Sequence, residues 1–430
     1  MEGISHLLKV KFLDKARLAA VKAIYAVQTE GAYSNVALAQ ILRQEKLSDL
    51  DRRFCTEIVY GAVKAGASLD WKISKYVSRA VDDKVMAILR AGFYQIFFMD
   101  RVPDSAAVNE SVEIAKKFVN IGASKFVNGV MRSAIREPAK SNFPPDDLAL
   151  NTFHPAWLVD LLIEEFGRDV AKKILDADNI EPPLCLRVNF LKATRAEIMS
   201  ELKDAEESKL VPEGIICKNH GALDKFKPLK DGRCQVQDES SMLAARILNP
   251  VAGDFVIDCC AAPGGKATHL AELMKNRGRI LAADIFETKL EHIKENSARL
   301  GVKIIEPVLL DAREIGDKFF GQADKVLVDA PCSGLGVIRR KADLRWKKIP
   351  TEIAELPKLQ SEILNSAGRA VKVGGVLVYS TCTILRRENE AVVEKFLAAH
   401  KNFKLVETKN LLPHVDGTDG FFIAKMIREV

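Results

Sequence analysis

The 430-residue sequence has eight cysteines but no CxxC pair. A zinc site of the usual spacing is therefore not expected, and no metal is assigned. It has no uninterrupted apolar run of about 18 residues, so no membrane span is expected. The first residues, "MEGISHLLKVKFLDKARLAA", lack the continuous apolar centre and small-residue cleavage site of a secretion signal. A cytoplasmic location follows, and a long cytosolic chain is a poor place for a disulfide framework. A strong charge bias is missing too: 64 basic against 58 acidic residues leave a net charge of +6. That permits an anionic partner such as RNA without requiring one. There is no internal repeat and no low-complexity tract.

What is present is an ordinary globular composition, 48% hydrophobic and 28% charged, in a chain long enough for about three domains. Residues from about 13 to 136 carry helical periodicity throughout, as in "ARLAAVKAIYAVQ" and "KVMAILRAGFYQIFFM". This predicts an all-helical domain of about six helices over residues 1–140. "EPAKSNFPPDDLALNTFHP" reads as a linker. Residues 150–238 read as a small α+β module, with two helices, a strand near "LCLRVN", and a helix capped by Thr194. From 239 to 430 strands alternate with helices, which predicts a doubly wound α/β sheet. Its expected strands are "FVID", "RILAADI", "IIEPVLLDA", "KVLVDAP", "GGVLVYSTCT" and "FFIAKMI".

The loop "DCCAAPGGK" follows the first of these strands and opens a helix. A triphosphate site would need GxxxxGK[ST]. Here Ala267 follows Lys266, and Cys260 stands where the first Gly belongs, so that reading fails twice. The dinucleotide pattern GxGxxG is absent as well. A nucleoside cofactor without phosphates remains, and S-adenosylmethionine fits. It calls for an acid at the end of the second strand to hold ribose hydroxyls, which Asp284 supplies. It also calls for a polar group at the end of the third strand, which Asp311 supplies. With Asp329, three strand ends carry acids in register.

Cys332 follows "VLVDAP" and Cys382 follows "VLVYST", so both thiols belong in the cofactor crevice. Cys55, Cys185, Cys217 and Cys234 read as packing or surface residues. A thiol beside a methyl donor suits an acceptor that needs covalent activation, such as C5 of a pyrimidine. A thiolate adding to C6 makes C5 nucleophilic, and Asp329 stands where it can stabilise the charge developing at N3. A free thiol has a pKa of about 8.5, so activation is needed, and Lys266 and the helix N-terminus are candidates for it. The residues alone do not rank the two thiols.

"DCCAAPGGKATHLAEL", "DAPCSGLGVIRRKADLRW", "YSTCTILRRENE" and "DGTDGFF" resemble the RNA cytosine-C5 methyltransferases of the NOL1/NOP2/Sun type. "KARLAAVKAIYAVQTEGAYSN", "DRRFCTEIVYGAV" and "RAGFYQIFFMDRVPDSAAVNESVEIAKKF" resemble the NusB antitermination-factor domain. The resemblance implies a class I, Rossmann-like methyltransferase domain behind a NusB-like one. It also implies a 16S ribosomal RNA or small-subunit assembly intermediate as partner. Cys382 is implied as the nucleophile, Cys332 as the residue assisting later steps and product release, and Asp329 as the base contact. The implied cofactor region is the loop Cys260, Ala261, Ala262, Pro263, Gly264, Gly265 and Lys266, with Asp284, Asp311 and Asp329. Ala267, where Thr is common, and Ala342, where Pro is common, depart from the pattern.

RNA contact is expected of Arg339, Arg340, Lys341 and Arg345 beside the "PCSGLG" loop, and of Arg386 and Arg387 after Cys382. Trp346 reads as a packing residue, and a monomer is expected. Two other classes compete. A non-catalytic antitermination factor has no use for the thiol pair and the acids. A P-loop NTPase is excluded by the loop.

Overall fold

The computed structural model describes residues 13–218 and 226–430. The start of the segment read above against a secretion signal lies outside them. The chain divides into two compact units, residues 1–162 and 163–430.

The described residues of the first unit hold seven helices before residue 137: α1 Lys15–Thr29, α2 Ser34–Gln44, α3 Asp49–Lys64, α4 Gly66–Ser74, α5 Asp83–Phe98, α6 Asp104–Phe118 and α7 Ile121–Arg136. Side-chain caps fix several starts: Asp14 accepts from Arg17 N, Ser48 from Asp51 N, and Asn120 from Ala123 N. The buried face of α1 is mostly alanine (Ala16, Ala19, Ala20, Ala23), which lets neighbouring helices approach closely. The helix count exceeds the expected six because one periodic run, broken only at Ala65, forms both α3 and α4.

The second unit contains two sheets. The smaller is antiparallel, with β1 Leu184–Val188, β2 Ala205–Glu207, β3 Gly214–Cys217 and β4 Cys234–Val236 in the order β2-β3-β1-β4. Thr194 caps the Arg195–Ser200 helix beside it in a full capping box with Glu197.

The larger sheet comprises β5 Phe255–Asp258, β6 Arg279–Asp284, β7 Ile305–Leu309, β8 Ala323–Asp329, β9 Val371–Thr381, β10 Phe403–Leu411 and β11 Phe421–Arg428. Its order is β10-β11-β9-β8-β5-β6-β7, with β11 antiparallel to both neighbours and the rest from β7 to β9 parallel. The central strands are apolar without alternation because both faces are covered. Ile257, Val326, Val328, Leu377 and Tyr379 pack with Ile363, Leu364 and Ala367 of the Pro350–Ala370 helix. Val256, Leu327, Val376 and Val378 pack with Met242, Leu243 and Leu248 of the Glu239–Leu248 helix. Strand β10 has no counterpart in the expected set. It is an edge strand, exposed along most of its length and carrying Lys404, Glu407 and Lys409, so its sequence shows little apolar alternation.

The order reverses between β5 and β8, which opens a crevice at the carboxyl ends of the parallel strands. Asp258, Asp284 and Asp329 are the last residues of β5, β6 and β8, and Cys382 follows the last residue of β9.

Candidate active site

The loop after β5 turns at Gly264, whose φ of 98° is a conformation L side chains rarely adopt. A Cβ there would also stand 3.2 Å from the Ile293 backbone. Gly264 N donates to Ala261 O, and the Gly265–Leu273 helix then begins. Around Gly265 there is open space for a ligand to meet the main chain. Ala267 is buried against Ala261, Ala282 and Ile293, while the next hydroxyl, Thr268, bonds back to Gly264 O.

Lys266 Nζ lies 2.8 Å from Asp329 Oδ2, and Ser380 Oγ donates to Asp329 Oδ1 at 2.9 Å. Burial disfavours the charged Lys266, but Asp329 outweighs it and holds the ammonium above its ordinary pKa. Asp258 is fully buried, with no side-chain partner and the Cys260 backbone N–H beside its carboxyl. Burial first, and the nearby Asp329 charge second, push it up to about 7. Asp284 is 8% exposed and accepts Phe286 N. The pair after it, Ile285 and Phe286, is apolar yet about half exposed (54% and 50%), an apolar wall that the motif reading did not single out. Asp311 sits two residues beyond β7 with its carboxylate on Arg313, which lowers its pKa.

Cys332 and Cys382 stand with their sulfurs 3.2 Å apart. The hydrogen bond from Cys332 lowers the Cys382 pKa against the effect of burial, and the charges of Lys266 and Lys341 help. The same bond, with burial, raises Cys332 well above an ordinary thiol. Either sulfur can be the donor in this contact; with Cys332 donating, Cys382 is the more acidic member of the pair. This supplies an activation that sequence did not reveal.

Backbone stitches hold the loops. Gly336 N donates to Cys382 O, and Gly420 N to Gly336 O. A Cβ on Gly336 would fall 2.1 Å from Gly420 O, so the "SGLG" and "TDGFF" glycines are required by close approach of two chains. Glu388 of "RRENE", to which sequence gave no role, is fully buried beneath both loops.

The expected RNA arginines divide. Arg345 is 0% exposed and donates to Asn179 Oδ1, Asp178 O and Ala342 O. Arg339 binds Asp419 at 2.7 Å with a nearly buried side chain. Arg340 bridges Asp419 and Asp238, each at 2.6 Å. Arg345 and Arg339 are therefore buried struts between loops, against the expectation of phosphate contact, while Arg340 is tied to two carboxylates with its side chain 26% exposed. Lys341, Arg386 and Arg387 are exposed, and Arg386 pairs with Glu394. Trp346 is half-buried. Among the described residues no group of acidic, His and Cys side chains is arranged to hold a metal, and no helix is long and apolar enough to cross a membrane.

Residues 245–427 match the family model "16S rRNA methyltransferase RsmB/F". Residues 14–136 match the NusB family, and 154–224 a RsmF/B-like ferredoxin-like domain. A Bacillus subtilis protein described as a probable ribosomal RNA small subunit methyltransferase B is 40% identical, over 95% of this chain and 97% of its own. The chain belongs to the RsmB/F family of rRNA methyltransferases. A Yersinia enterocolitica ribosomal RNA small subunit methyltransferase B is 34% identical over 96% of this chain and 98% of its own. Among solved structures, PH0851 superposes with a TM-score of 0.84 at 29% identity, covering 97% of this chain and 100% of its own. NSun6 from Pyrococcus horikoshii, solved with SFG, gives 0.59 at 27% identity, covering 64% and 98%. The two-unit RsmB/F chain thus joins a helical NusB domain to a ferredoxin-like domain and a Rossmann-like methyltransferase domain.

Proposed function

We propose that the chain methylates C5 of a cytosine in 16S ribosomal RNA, using S-adenosylmethionine and a covalent bond from Cys382 to C6. The observation that carries this reading is the close thiol pair, 3.2 Å between sulfurs, beside the Lys266–Asp329 pair. The relatives named for small-subunit ribosomal RNA support the substrate, and NSun6 with SFG, a methyl-donor analogue, supports the cofactor.

The donor set fits a cationic nucleoside. Acids occupy the strand ends, and the one lysine of the loop Cys260–Lys266 is paired with Asp329 rather than turned to a phosphate. Cys260–Lys266, Asp284, Asp311 and Asp329 would hold it, with Ile285 and Phe286 as an apolar wall. S-adenosylmethionine supplies a methyl group on a positively charged sulfur.

The chain's residues do the rest. The Cys382 thiolate adds to C6, and the electron pair displaced toward C5 would form the bond to the methyl carbon as that carbon's bond to the sulfonium breaks, its electron pair passing to the sulfur and leaving a neutral thioether. Lys266, held in place by Asp329, puts a positive charge where electron density develops across N3 of the ring, and Asp329 contacts the base. Loss of the C5 proton to a base then returns an electron pair to the ring, the C6–S bond breaks, and Cys382 leaves as thiolate. Cys332, whose S–H faces that sulfur, assists release. The base must leave its stack to reach the crevice. The helical domain over 1–140 and the module over 150–238 each bind RNA, the catalytic residues lie in 239–430, and the chain acts as a cytoplasmic monomer. Mapping 5-methylcytosine in ribosomal RNA from cells lacking this protein tests the reading. One small-subunit position should lose its methyl group, and an unchanged map overturns it.

A further inference from the structure

The two thiols sit on separate loops, one after β8 and one after β9, 50 residues apart in the chain. Something must hold their sulfurs together, and a single buried carboxylate is placed to do so. Glu388 is 0% exposed. Its Oε1 accepts Ser333 Oγ at 2.5 Å and Thr383 Oγ1 at 3.2 Å. Its Oε2 accepts Ser333 N at 2.8 Å and Gln360 Nε2 at 2.9 Å. Ser333 is the residue after Cys332, and Thr383 is the residue after Cys382. Gln360 also donates to Pro331 O, the residue before Cys332. Both thiols are therefore held through their immediate neighbours at Glu388, beside a direct Ser333 Oγ–Thr383 Oγ1 hydrogen bond of 2.8 Å between the same two loops. That point is itself anchored: Tyr379 OH of β9 donates to Glu388 O at 2.6 Å, and Asn389 donates to Thr383 O.

A neutral amide could not replace it, because an NH2 group would face donors such as Ser333 N and Gln360 Nε2, and burying a carboxylate costs several kcal/mol unless its lone pairs are filled. Filling them with four donors keeps a negative charge beside Cys332 and away from the surface. The charge acts unequally. Cys332 faces Cys382, Glu388 and the Tyr379 hydroxyl. Cys382 faces Cys332, Asp329, Lys266 and Lys341. Glu388 disfavours a thiolate at Cys332; at Cys382 Asp329 opposes one and the two lysines favour it.

We propose that Glu388 is a positioning residue that sets the spacing of the two thiols and assigns their roles, keeping Cys332 as the S–H donor and Cys382 as the nucleophile. This deepens the function proposed above and rests on it only for the identity of the reaction.

The test uses the full chain and limiting iodoacetamide, with the label apportioned between Cys332 and Cys382 by peptide mass spectrometry. The wild type should label first at Cys382. Glu388→Gln and Glu388→Ala should bind S-adenosylhomocysteine like the wild type. Their Cys382-to-Cys332 labelling ratio should fall about tenfold, the effect of one pKa unit, and kcat for RNA methylation should fall with it. A fall in kcat with the labelling ratio unchanged would reduce Glu388 to a structural strut and overturn the proposal. If either variant loses S-adenosylhomocysteine binding, Ser333→Ala carries the test, since it removes one tether and leaves the carboxylate buried. A wild-type ratio in Ser333→Ala then overturns it. Labelling needs no methyl transfer, so a wild type inactive on cytosine defeats the proposed function without touching this result.

Discussion

A thiol of ordinary acidity is mostly protonated at neutral pH, so residue-scale function depends on what surrounds each sulfur. Cys382 has a donor at 3.2 Å and lysine charges nearby, whereas Cys332 has burial and Glu388. Cys382→Ala should therefore abolish methyl transfer, a loss of at least about 10³-fold of the kind seen when a nucleophile is removed, while S-adenosylhomocysteine still binds by calorimetry. Measurable turnover near the wild-type rate would reject the assignment. Cys332→Ala should leave the attacking sulfur in place but slow its departure. A covalent protein–RNA adduct should then build up as a slow band in a denaturing gel, and its absence with Cys382 intact would remove Cys332 from release. Sequence located both thiols, because strand ends face the crevice, yet it could not rank them. The ranking depends on a contact between loops 50 residues apart, and on a buried carboxylate that no local pattern marks.

At the scale of elements, the parallel core was legible because central strands covered on both faces are short apolar runs bounded by Gly and Asp. Strand β10 was not, because an edge strand needs only one buried neighbour and is free to be charged. The basic run "RRKADLR" misled for a related reason. Positive charge in sequence does not say which way a side chain turns, and here Asp419, Asp238 and Asn179 draw three arginines inward. Two sets of substitutions separate these roles. Arg345→Ala should cost about 3–5 kcal/mol of unfolding free energy, as for other buried charges stripped of their setting, read from denaturant titration. Arg386→Ala with Arg387→Ala should leave stability within about 0.5 kcal/mol. The double variant should instead weaken RNA binding and flatten its salt dependence by roughly 0.7–1 in log–log slope per lost phosphate contact. RNA binding by the double variant with an unchanged slope would show that neither arginine meets phosphate.

For the molecule as a whole, composition said little beyond an ordinary globular balance. A net charge of +6 does not say which charges are buried, and burial of single acids is a tertiary property that no window of sequence reports. Asp258 was legible only as the end of a strand. In the fold it is 0% exposed with only the Cys260 backbone N–H beside its carboxyl, facing the charges of Asp329, Lys266 and Asp284, and burial pushes its pKa up to about 7 against an ordinary 3.8. The direction of the linkage follows. Between these two values the native chain keeps a proton that the unfolded chain has released. Stability contributed by this group is therefore full below about pH 4 and is lost as pH rises through 7. Asp258→Asn has no such titration. Its melting temperature should match the parent's near pH 4 and exceed it at pH 8 by on the order of 5 °C for a chain of this size, measured by calorimetry without cofactor. A difference between variant and parent that stays constant across that range would mean that Asp258 titrates normally. The buried acid would then be no reservoir of strain beneath the cofactor loop.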